Sequence, residues 1–126
     1  MEKIVKTALV VVGLIHLLPL IGVLGSQKLA SLYGLPFDDP NLAILMRHRA
    51  ILFGLLGSFL IYGAFTPALQ ALALIAGYIS IVSFLVLAWS VGQYNSELGR
   101  IVIMDVVALL CLIAASAACL WPSRSI

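Results

Sequence analysis

Charged side chains are scarce in this chain. Lys, Arg, Asp and Glu together make up 10% of its 126 residues while 63% are apolar, against roughly 25% and 45–50% in ordinary soluble domains. Such a chain cannot cover itself with polar surface, and at this length a soluble fold would leave much of the apolar excess facing water. Lipid is the solvent that removes the conflict. The seven basic and five acidic residues are scattered, with no basic run able to track a phosphate backbone, so nucleic acid is not an expected partner. Cysteine is nearly absent. Cys111 and Cys119 are eight apart, about 12 Å of rise on one helix, which excludes a mutual disulfide. There is no Cys-x-x-Cys pair and no metal-spaced Cys/His cluster, and hence no expected metal or cofactor. A Gly-rich phosphate loop and a Ser/His/Asp order are missing too, and no polar stretch is long enough for a soluble catalytic domain.

What the chain does have is four long apolar runs: Ile4 to Gly25, Leu42 to Phe65, Ala68 to Ser90 and Ile101 to Leu120. Each has about 20 residues or more, which at 1.5 Å per residue crosses about 30 Å of hydrocarbon. The fold expected is all-α, a single membrane domain of four antiparallel helices. The basic head Lys3, Lys6 imitates a signal peptide, but no Ala-x-Ala-like site follows, so the first run is read as a retained span. Asp39-Pro40 and Thr66-Pro67 supply caps and first-turn prolines for spans two and three. The polar turn Gly92–Arg100 precedes span four, and Pro122 follows it. The first connection, Ser26 to Asp39, is semi-apolar and suits a short amphipathic turn on the membrane surface. Trp89, Tyr94 and Trp121 fall where interfacial aromatics belong. With the N-terminus inside, Lys3, Lys6 and Arg124 are cytoplasmic and Lys28 and Arg100 external, so both termini are expected in the cytoplasm.

Ionisable residues inside a span each cost about 2.5–3.5 kcal/mol on insertion scales and are default pointers to function. They are His16, Arg47, His48, Arg49 and Asp105, and in antiparallel order they fall within roughly 6–14 Å of one membrane face. Arg47 and Arg49 point about 200° apart, so only one faces the bundle. Arg47 shares its stripe with Gly54, Gly57 and Ser58, small residues that mark helix contact in lipid, and is expected inward, paired with Asp105. Arg49, beside Leu56 and Leu60, is expected to snorkel with His48 to phospholipid headgroups. Asp105 heads a stripe with Ala108, Leu112 and Ala115, and span three offers Gly77, Ser80 and Ser83. Pro19 frees the carbonyl of Ile15, so span one should bend beside His16. Three readings stay open: a structural polar clasp, a pocket for the head of a small amphiphile formed by His16, Arg47, Asp105, Ser58 and Ser83, or headgroup binding at the surface.

The runs His16-Leu17-Leu18-Pro19, Leu32-Tyr33-Gly34-Leu35-Pro36-Phe37-Asp38-Asp39-Pro40-Asn41 and Met46-Arg47-His48-Arg49-Ala50-Ile51-Leu52-Phe53-Gly54 resemble small bacterial membrane proteins distantly related to the DoxX-like four-helix families. The resemblance spans nearly the whole chain and implies a four-helix bundle in a bacterial inner membrane. The quinone-coupled chemistry linked to DoxX proteins does not carry over, because no quinone-site motif matches residue by residue. The function expected is non-enzymatic: either binding a small amphiphile or lipid in that pocket, or acting as accessory subunit of a membrane complex, with membrane lipids and a membrane-complex partner or a second copy of the chain in a homo-oligomer as the expected partners. The alternative is an intramembrane enzyme acting on a lipidic or quinone-like substrate, with His16 and Asp105 as acid and base.

Overall fold

The computed structural model describes residues 2–120, and the residues cited above as Trp121, Pro122 and Arg124 lie outside that range. Five α-helices follow one another: α1 (Glu2–Leu17), α2 (Ser26–Tyr33), α3 (Pro40–Ala64), α4 (Gln70–Val91) and α5 (Ser96–Leu120). A 3₁₀ segment, Leu18–Leu24, prolongs α1, and a 3₁₀ turn, Pro67–Leu69, leads into α4. Among the described residues there is no strand. Four stretches are long and apolar enough to cross a membrane: Lys3–Leu24, Pro40–Ala64, Pro67–Val91 and Ser96–Leu120.

The boundaries have local causes. Pro19 has no N–H to give back to Ile15, and at this point the α-helix tightens into the 3₁₀ segment, the form that the expected bend takes. The Asp39 carboxylate accepts from the Asn41 amide at 2.9 Å, and Pro40 fills the first helical position of α3. Gly34, at φ 68°, closes α2 by giving its N–H to the Ala30 carbonyl at 2.8 Å. The first connection is therefore a two-turn helix, α2, followed by a short loop over residues 34–39. Span four begins at Ser96, five residues before the apolar run, because the Asn95 side chain caps it by accepting from the Leu98 amide at 2.8 Å. Of the stretch read as a polar turn, Gly92–Arg100, the part from Ser96 onward belongs to α5.

The main core is built by α1, α3, α4 and α5. Leu9 and Val12, Leu60, Ile81 and Leu112 are fully enclosed there. α1 and α3 cross at two glycines: a Cβ on Gly57 would stand 2.7 Å from the Gly13 carbonyl oxygen, and one on Gly13 2.9 Å from the Gly57 oxygen. Only glycine on both helices permits that approach. A second cluster, Leu29, Tyr33 and Phe37, ties α2 to Leu98 and Ile101 of α5. The outer faces stay apolar: Leu14, Leu55, Ile79 and Ile103, one from each long stretch, are exposed. A soluble chain would not leave such faces bare on every helix.

Candidate functional site

Beside the 3₁₀ tail of the first span the helices leave a cavity of about 230 Å³. Its walls are mainly apolar, with Leu18 and Pro19 from span one, Phe53 from α3, Phe84 from α4 and Met104 from α5. Arg49, Asp105 and Ser80 bring polar atoms to it, α2 covers it with Ser31, Leu32 and Tyr33, and Glu97 and Arg100 reach it from the first turns of α5. At 1.5 Å per residue, Asp105 lies about 14 Å from the start of its helix, and Arg49 about the same from the start of α3. The cavity thus has charged residues at two levels, with Glu97 and Arg100 within about 6 Å of the start of α5 and Asp105 about 14 Å along it.

Arg49 is fixed. Its guanidinium lies over the Phe53 ring, 4.4 Å from the centroid, and 5.4 Å from that of Tyr33, a cation–π arrangement in which Arg presents its plane to the rings and its edge to a ligand. One Nη donates to the Tyr33 hydroxyl, whose own hydrogen is left to give elsewhere. Asp105 is half-buried. It and Arg49 line the same cavity, yet among the described residues no ion pair joins them.

His16 is 3% exposed and does not line the cavity; it stands behind Ser80. Nδ1 is 2.9 Å from the Val12 carbonyl, which only accepts, so Nδ1 carries a proton. In the neutral ring Nε2 then accepts from the Ser80 hydroxyl at 2.9 Å. The assignment follows from the partners. Its consequence is that Ser80 spends its hydrogen on His16 and turns lone pairs to the cavity. Both ring nitrogens are satisfied, and Phe53 packs on the ring at 5.7 Å between centroids.

Several expectations are corrected. Arg47 is exposed and its Nε donates to the Val23 carbonyl at 2.8 Å, so it neither faces the cavity nor pairs with Asp105. Arg49, expected among the headgroups, lines the cavity instead. The small-residue stripe does mark contact: Gly54 and Gly57 abut Leu20 and Gly13 of span one. Glycines, however, mark where backbones come closest, and so close a seam has no room for an arginine or a ligand. The side of α3 that opens on the cavity is the one bearing Arg49 and Phe53. Ser58 and Ser83 are exposed and absent from the cavity wall; the Ser83 hydroxyl donates to the Ser80 carbonyl of its own helix at 3.0 Å. His48 is exposed. Asp105 lies where its stripe placed it, with Ala108, Leu112 and Ala115 fully enclosed below.

Sequence reasoning did not assign Ser80, Tyr33, Phe53, Glu97 or Arg100 to the site. A signal existed for two of them. Phe53 stands four residues after Arg49, the spacing at which a ring stacks on a helical neighbour, and Ser80 stands among the small residues of span three. Among the described residues no three His, Cys, Asp or Glu side chains converge as metal ligands would. Compared with known proteins, the chain matches no family model, no curated protein and no solved structure.

Proposed function

We propose that this chain is a multi-pass protein of the bacterial inner membrane that holds the polar head of a small amphiphile in the cavity between Arg49 and Asp105. The observation that carries the reading is one cavity with apolar walls that contains an aromatic-held guanidinium and, apart from it, a carboxylate. Intramembrane charges are maintained where they meet each other or a ligand, and apolar pockets with a few convergent polar groups are the usual form of a small-molecule site. An up-and-down order of the four spans is supported by matched pairs along the first two: Lys6 over the Phe65 ring, Gly13 against Gly57, and Arg47 on Val23. The resemblance to DoxX-like bundles agrees with that order. The exposed apolar flanks serve contact with lipid or with a second membrane chain, and a cytoplasmic N-terminus fits the basic residues near it.

Native mass spectrometry after extraction in a mild detergent tests the binding. Wild type and the Arg47→Ala variant should retain an amphiphile that Arg49→Ala loses. Equal retention by both variants would contradict the reading.

The Ser80–His16 hydrogen bond favours one rival. A serine hydroxyl on a cavity wall, 2.9 Å from a histidine nitrogen whose other nitrogen is oriented by a carbonyl, has the parts of a nucleophile and base. Ser80 Oγ would add to an acyl carbonyl while His16 takes its proton and returns it to the leaving alcohol, and water would then release the acyl group. A fluorophosphonate probe distinguishes the two. Labelling that Ser80→Ala abolishes would establish the nucleophile; an unlabelled, folded protein would leave His16 as a helix clasp.

A further inference from the structure

Resting on that binding reading, we infer that the head the cavity selects is dipolar: an anionic oxygen at Arg49 and a primary ammonium, able to donate hydrogen bonds, at Asp105, as in a phosphatidylethanolamine.

Charge balance is the first argument. The four charged residues that line the cavity are Arg49, Arg100, Glu97 and Asp105, two of each sign, so a head with a net charge would leave one charge without a partner. The second is the division of hydrogen-bonding roles. Two of the lining groups donate, the Arg49 guanidinium and the Tyr33 hydroxyl, whose oxygen already accepts from Arg49. Two accept, the Asp105 carboxylate and the Ser80 oxygen, whose hydrogen goes to His16. A quaternary ammonium has no N–H to offer the acceptors, and a head that is only anionic would place oxygen against carboxylate. The third is that the two opposite charges are kept apart. Arg49 is held by Phe53 and Tyr33, and in a low-dielectric cavity opposite charges left apart forgo attraction that a dipole laid between them recovers. Size agrees. About 230 Å³ is the share of roughly seven or eight water molecules at ~30 Å³ each, room for a compact head with the tail beginning along Phe53, Phe84 and Met104.

The test uses the full chain in nanodiscs with equal parts of phosphatidylethanolamine, phosphatidylcholine and phosphatidylglycerol of one acyl composition. Native mass spectrometry reads which lipid remains on the protein after ejection. We expect phosphatidylethanolamine to be enriched about tenfold over each of the others, as charge-assisted hydrogen bonds at both ends of the head would give. Asp105→Asn should bring its advantage over phosphatidylglycerol down toward parity, with folding checked by a melting curve; the wild-type comparison stands without the variant. Equal retention of phosphatidylethanolamine and phosphatidylcholine, or preference for phosphatidylglycerol, would overturn the dipolar head while leaving a lipid site. Retention of none of the three would overturn the binding reading itself.

Discussion

At the scale of single residues, the two arginines two positions apart have opposite duties, and the difference is measurable. Arg49→Lys keeps the charge but loses the planar group that lies on Phe53 and Tyr33, so a lysine should bind the amphiphile more weakly despite equal charge. Lipid retention by the Lys variant checks this, and wild-type retention would mean that charge alone matters. His16 is a different case. It is buried and doubly hydrogen-bonded, so His16→Ala should lower stability by about 1–3 kcal/mol through the unsatisfied Ser80 hydroxyl and the space left behind. Thermal melts of His16→Ala beside Ser58→Ala read this directly, since the exposed Ser58 should stay within about 0.5 kcal/mol of wild type. The acid and its stripe were legible in the sequence because Asp105, Ala108, Leu112 and Ala115 follow helical spacing. The choice between Arg47 and Arg49 was misread there: periodicity separates the faces of a helix but does not say which neighbour each face meets.

At the scale of helices and turns, the α1–α3 seam and the α2–α5 junction are the contacts to test. In the seam, Gly57→Ala would set a methyl group 2.7 Å from a backbone oxygen, which no rotamer change relieves, and should destabilise by about 1–3 kcal/mol. Gly99→Ala is the contrasting change. Its Cβ would meet nothing closer than 3.8 Å, at the Tyr94 ring, so in α5 it should be neutral or stabilising by up to ~1 kcal/mol. Melting curves of the two variants give the comparison, and equal effects would mean that the seam is looser than described. At the junction, Asn95 caps α5 and also donates to the Tyr33 carbonyl at 2.8 Å. Asn95→Ala should therefore cost about 1 kcal/mol and speed hydrogen exchange in α2 as well as at Leu98. The four spans could be found from length and hydropathy alone. The docking of α2 on α5 could not, because it depends on this tie between segments more than sixty residues apart, whereas the early start of α5 rests on a local signal, an asparagine three residues before Leu98, that hydropathy does not register.

At the scale of the whole molecule, four apolar helices with bare outer faces enclose a small polar site near one end. Reporter fusions in the Gln93–Glu97 segment and after Ile126 should report opposite sides of the membrane, with the C-terminal fusion cytoplasmic. A periplasmic C-terminal fusion would reverse the orientation without touching the site. The central claim, a head bound between Arg49 and Asp105, is tested most directly by an experimental density map of protein extracted from its native membrane without added lipid. The account predicts non-protein density whose head lies between the Arg49 guanidinium and the Asp105 carboxylate, with its tail along Phe53 and Phe84. A collapsed cavity in which Arg49 has left Tyr33 and Phe53 to pair directly with Asp105 would contradict it.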